Sequence, residues 1–146
     1  MYHVLVPVDI DKPRAAAQVE AVRDLPNASE DVKADVLYVF EEVDMPVDGA
    51  GPAYIDELNR NLETLRKLPQ TVEMVAEELE ESGIETSVHS VTGEPASAIL
   101  EIAEGFDVDA LVLGARQRSP IGKVLFGSVA QAVILESERP ITIASG

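Results

Sequence analysis

An open, doubly wound five-stranded parallel sheet with helices on both faces is the α/β fold class that this sequence predicts, and three observations carry the prediction. Five short apolar runs rich in β-branched residues fall at 2–8, 36–40, 84–91, 110–113 and 140–144. Segments with apolar residues at three-or-four spacing separate them, which gives the order βαβαβαβαβ. Glycine, proline and aspartate mark most of the junctions. Strands that alternate with helices in this way pair in parallel through right-handed crossovers.

Each element has its own justification. Tyr2 to Val8 suits a strand buried on both faces, and Asp9-Ile10-Asp11-Lys12-Pro13 breaks it. Pro13 then lies in the first turn of a helix, where a missing N–H costs nothing, and Ala16, Val19, Val22 and Leu25 continue it. Val36 to Phe40 is the second strand, and Glu41 to Pro52, rich in Pro, Gly and Asp, reads as a surface loop. Ile55, Leu58, Leu62, Leu65, Val72, Val75 and Leu79 predict a long amphipathic helix that Pro69 kinks or splits. Gly83 stops it and Ile84 to Val91 is the third strand. Gly93-Glu94-Pro95 opens a helix carrying Ile99, Leu100 and Ala103. The strand Ala110 to Leu113, a helix from Ser128 and the strand Pro140 to Ala144 complete the chain.

Composition narrows the function classes. A chain of 146 residues, 46% of them hydrophobic, can bury one sizeable core. The formal net charge of -16 disfavours nucleic acid and anionic membrane surfaces, both of which need a basic face. A solvated acidic surface of this kind fits a high-salt cytoplasm. Cysteine is absent, which rules out disulfides and thiol chemistry in these residues. No apolar run approaches membrane-spanning length and no secretory signal pattern opens the chain, so a cytoplasmic location is expected.

The most informative stretch is Leu111 to Val133, LVLGARQRSPIGKVLFGSVAQAV. A strand ends at Gly114, a loop follows that holds Arg116, Arg118 and Lys123, and Gly127-Ser128 opens a helix. Unpartnered N–H groups and the helix dipole at such an N-terminus favour an anion, and glycine lets a phosphate come close. A Walker A motif is excluded, because seven residues separate Gly114 from Gly122 and Val124 follows Lys123. A dinucleotide fingerprint is excluded too, since Pro7-Val8-Asp9-Ile10-Asp11 contains no glycine. If the first and fourth strands are neighbours, Asp9 and Gly114 face one crevice at the point where winding reverses. Ser128 with Gln131 three residues on also reads as a capping box. Asp9 and Asp11 read as cap or loop residues, and His3 and His89 as satisfied or surface histidines.

The spacing resembles that of the universal stress protein family. Nucleotide-binding members of that family carry Gly, two residues, Gly, nine residues, then Gly and Ser or Thr. Here Gly114 is followed by Gln117 at the second glycine position, then nine residues, then Gly127-Ser128. Val4-Leu5-Val6-Pro7-Val8-Asp9, Leu37-Tyr38-Val39, Gly93-Glu94-Pro95-Ala96, Asp109 to Gly114 and Pro140 to Ile143 resemble further family segments in the same order.

That resemblance implies the adenine nucleotide alpha hydrolase-like form of the fold, one domain over residues 1–146, and a stress-response switch or sensor that binds ATP or a related adenine nucleotide, with or without Mg²⁺. It implies that Asp9 and the backbone near Val39 hold adenine, with Pro7 and Val8 lining the pocket. Leu113 and Gly114 would lie against ribose and base. Arg116 and Gln117 would border the phosphates, Lys123 would add charge, and Gly127, Ser128, Val129 and Ala130 would offer N–H groups or a hydroxyl. Gln117 departs from the family glycine, and Ala130 lacks the hydroxyl some relatives offer. The resemblance also implies a homodimer through the C-terminal strand. No residue is nominated as catalytic or metal-binding. Two rivals remain: a nucleotide-free interaction module whose phosphate site Gln117 fills, and a slow ATPase using Asp9 and a divalent ion.

Overall fold

The computed structural model describes residues 1–41, 68–115 and 126–145. In chain order these form β1 (Tyr2–Pro7), α1 (Lys12–Arg23), α2 (Ala28–Asp31), β2 (Val32–Phe40), α3 (Gln70–Glu81), β3 (Glu85–Thr92), α4 (Pro95–Gly105), β4 (Ala110–Ala115), α5 (Ser128–Glu136) and β5 (Ile141–Ser145). All strand pairs are parallel, in the spatial order β3-β2-β1-β4-β5. The chain therefore winds outward from β1 to one edge and then, through β4, to the other.

Local chemistry sets the helix starts. Asp11 caps α1, its carboxylate accepting from the Arg14 N–H at 3.0 Å, with proline in the first turn. Glu94 caps α4 in the same way, accepting from the backbone of Ala96 and Ser97. These bonds, that of Ser97 foremost, hold the Glu94 carboxyl below its ordinary value. Gly83 follows α3 at φ 82°, a conformation that glycine adopts without a Cβ penalty. Helix α3 begins at Gln70 directly after Pro69. The periodic residues Ile55 to Leu65 lie outside the described residues.

Three expectations need revision. Strand β2 begins at Val32 rather than Val36, because its ladder with β1 runs from Tyr2↔Val32 to Pro7↔Leu37 and carries Lys33 and Asp35 with it. The one-turn helix α2, entered through Asn27 at φ 54°, has no counterpart in the periodicity. At α5 the cap is Gly127, which is extended and whose carbonyl accepts from the Gln131 N–H at 3.0 Å. Ser128 is thus the first helical residue, no side chain of the described residues caps this end, and the capping box with Gln131 does not form.

Alternation along the strands divides the core in two. Val4, Val6, Val36 and Val112 pack with Val19 and Val22 of α1 and Val72, Val75 and Leu79 of α3 on one face. Leu5, Leu37, Leu111 and Leu113 pack with Ile99 and Ala103 of α4 and Val133 of α5 on the other. Burying one such side chain contributes about 1.5–3 kcal/mol. Among the described residues no helix is long and apolar enough to cross a membrane.

Candidate functional site

The sheet opens where its winding reverses. β1 pairs with β2 over six positions, but with β4 only at Val4↔Ala110 and Leu5↔Leu111. Beyond those two pairs the strands diverge toward their carboxyl ends, the place where ligands sit in open α/β sheets. Gln18 of α1, only 2% exposed, spans the gap. Its amide donates to the carbonyl of Pro7 at 2.7 Å and to that of Val112 at 3.0 Å, satisfying groups the interrupted ladder leaves behind.

Above this bridge lies a cavity of about 660 Å³, a size suited to a small-molecule ligand. Pro7, Val8 and Asp9 form one wall, and Leu37, Tyr38, Val39 and Phe40 another. Leu113 and Gly114 supply the β4 side, Pro95 and Ile99 the α4 side, and Val129 and Ala130 the α5 side. The lining is apolar around Val39 and Ile99 and polar around Asp9 and Arg14. Among the described residues, no group of three His, Cys, Asp or Glu side chains is placed to hold a metal ion.

Eight residues selected from sequence thus meet in one cleft: Pro7, Val8, Asp9, Val39, Leu113, Gly114, Val129 and Ala130. Gly127 and Ser128 stand at the N-terminus of the helix that carries Val129 and Ala130, but they do not line the cavity. Arg116, Gln117 and Lys123 lie outside the described residues.

Interactions missed from sequence fix the polar end. The Asp9 carboxylate accepts from the Asp11 N–H at 2.9 Å, and the Asp9 carbonyl accepts from the buried Thr71 hydroxyl of α3 at 2.5 Å. Arg14 Nη1 lies 2.8 Å from Asp9 Oδ2, and Arg14 Nε lies 3.3 Å from Asp11 Oδ2. The stem of Arg14 rests on Gly114: a Cβ placed there would meet Arg14 Cγ at 2.6 Å and Cδ at 2.9 Å. Gly114 therefore makes room for a neighbouring arginine, a need unrelated to ligand approach. The spacing of Asp11 and Arg14, one helical turn apart at a cap, is a sequence signal for the Asp11–Arg14 pair, but nothing in the sequence signals the contact with Gly114.

A second polar cluster sits under the cleft floor, two residues before Leu37 on β2. Asp35 is 3% exposed, and its two carboxylate oxygens accept from His3 Nε2 and, at 2.8 Å, from His89 Nε2. Phe106 packs edge-on against the His89 ring at 4.9 Å and lies parallel to the His3 ring. Burial pushes the Asp35 carboxyl up, but the two histidine hydrogen bonds and the attraction of the imidazoles outweigh it and hold it below its ordinary value. Both histidines are satisfied, as expected.

Parallel strands in this order, with a cleft at the reversal of winding, define an open, doubly wound α/β fold. The chain belongs to the universal stress protein family, whose sequence profile matches residues 1–145. A universal stress protein of Mycolicibacterium smegmatis is 35% identical over 94 residues, 63% of this chain and 66% of that protein. Universal stress protein MJ0577 of Methanocaldococcus jannaschii is 32% identical over 72 residues, 44% of its length. Its solved structure superposes with a TM-score of 0.71 at 23% identity over 99% of this chain and 96% of that one. A universal stress protein of Archaeoglobus fulgidus, solved in complex with dAMP, superposes with a TM-score of 0.62 at 21% identity, covering 99% of this chain and 98% of that one. At these identities the two structures establish the common fold.

Proposed function

We infer that residues 1–146 act as one domain that binds ATP or a related adenine nucleotide in the cleft between β1 and β4, as a cytoplasmic stress-response switch. The observation that carries this reading is the convergence of Asp9, Val39, Leu113, Gly114, Val129 and Ala130 on one cavity of about 660 Å³. The cavity fits the ligand class. Its apolar end near Val39 suits a flat base, and the Asp9 carboxylate can accept from an exocyclic amine. The N-terminus of α5, which no side chain of the described residues caps, favours phosphate. The A. fulgidus relative was solved with dAMP, and another universal stress protein with cAMP.

The chain works as a binding protein more readily than as a hydrolase, because nothing in the described cleft is poised to activate a water. Dimerisation through β5 belongs to the same reading. This strand forms one edge of the sheet, and beside it Phe126, Ile134, Leu135, Ile141 and Ile143 line a shallow apolar groove in which Leu135 is 84% exposed. An unpaired, apolar edge invites pairing with another chain.

Calorimetric titration with ATP, ADP and AMP, with and without Mg²⁺, tests the nucleotide reading. The native chain should bind, Gln117→Gly should bind more tightly, and Gly127→Val should lose binding. If both the native chain and Gln117→Gly ignore all three nucleotides, the reading is wrong.

A further inference from the structure

We propose that Arg14 reads the sugar-proximal phosphate of the ligand, so that the cleft takes 5′-phosphorylated nucleotides and discriminates against the bare nucleoside. This rests on the nucleotide reading above and adds the chemical class that the cleft selects. Three observations lead to it. Arg14 is the one cation among the described residues that line the cavity, in a chain whose net charge is -16. An anionic ligand entering such a field needs a local positive group. Second, the guanidinium is placed rather than loose. Its stem lies on Gly114, Nη1 is 2.8 Å from Asp9, and the side chain is 24% exposed. Third, it reaches from Asp9, the group assigned to adenine, to Gly114 of β4, a group assigned to the ribose, so it stands on the sugar side of the base.

The Asp9–Arg14 pair then acts as a latch with two states. In the empty cleft each group neutralises the other, which lowers the cost of holding a carboxylate and a guanidinium at the cavity wall. With ligand present, a phosphate oxygen takes the guanidinium from Asp9 by a charge-assisted contact. That leaves the Asp9 carboxylate to accept from an amine or hydroxyl of the same ligand. Asp11 retains Nε throughout, so the arginine turns about a fixed point rather than leaving the site. A nucleoside offers no anion for this exchange and has to compete with Arg14 for Asp9. Arginine suits the role because its fork of donors can hold a carboxylate and a phosphate at once.

The test compares AMP with adenosine by calorimetric titration on native protein, Arg14→Met and Arg14→Lys. Arg14→Met keeps an unbranched apolar stem over Gly114 and removes the charge, and thermal melts establish that each variant is folded. The native chain should bind AMP more tightly than adenosine. Arg14→Met should lose roughly 10- to 100-fold in AMP affinity, the size of one charge-assisted contact, with adenosine affinity unchanged or improved. Arg14→Lys should recover part of the preference for AMP. If the native chain binds adenosine as tightly as AMP, or Arg14→Met keeps the native preference, Arg14 does not read the phosphate and the nucleotide reading stands without it. If the native chain binds neither compound nor ATP, both readings fall.

Discussion

Gln18 donates to the carbonyl of Val112 at 3.0 Å and thereby ties α1 to β4 at the point where the sheet opens. The same amide reaches Pro7 at 2.7 Å, so one side chain stands in for the missing rungs between β1 and β4. Replacing Gln18 by Leu preserves volume but strands both carbonyls. Each such group costs about 1–3 kcal/mol when left unsatisfied. Gln18→Leu should therefore lower the unfolding free energy by about 2–4 kcal/mol. Urea denaturation measures this directly, and a loss under about 1 kcal/mol would show that water or a rearranged backbone replaces the bridge.

The contact between Gly114 and Arg14 yields a coupled pair of substitutions. In Gly114→Ala the new methyl group overlaps Arg14 Cβ, Cγ and Cδ, the near part of the side chain that has least freedom to move away. Overpacking of this kind costs about 1–3 kcal/mol. The double variant Gly114→Ala with Arg14→Ala should be closer to native stability than the sum of the single losses predicts, because the clash has gone. Additive losses in a double-mutant cycle would place the two residues out of contact.

Asp35 should make stability depend on acid. Its folded-state carboxyl is held below the ordinary 3.8. The stabilisation it provides is present above that value and disappears as pH falls through the lower folded value. Asp35→Asn keeps the shape but removes the charge that His3 and His89 hydrogen-bond. At pH 7 the variant should be less stable by roughly 1.5–3 kcal/mol, the size of a hydrogen bond to a charged group. The gap should narrow below about pH 3.8, where the native side chain loses the same charge. Denaturant melts from pH 7 downward follow it, and a gap of constant size would assign the loss to packing.

The periodicity of the sequence was enough to find the five strands and their alternation with helices, because strands buried on both faces and amphipathic helices leave strong signals. It left open whether the first and fourth strands are neighbours, and their pairing in the sheet is what brings Asp9 and Gly114 to one crevice. What it could not show were contacts made only after folding. Gln18 sits in an alanine-rich run where a lone polar residue reads as facing solvent. Arg14 reaches Gly114 across most of the chain. Asp35 meets His3 and His89, 32 and 54 residues away, only because parallel register places β1, β2 and β3 side by side. The cap of α5 was read one residue late, since an extended glycine takes that position as readily as a serine.

If the β1–β4 cleft holds an adenine nucleotide, a titration of isotope-labelled protein with ATP, followed by amide NMR, reads the binding residue by residue. The amides of Val39, Gly114, Val129 and Ala130, which come from three separate elements, should shift together and saturate with one common affinity. Those around His3 and Asp35 should move little. Unmoved cleft amides at saturating ATP, or shifts confined to the region of His3, would contradict the account.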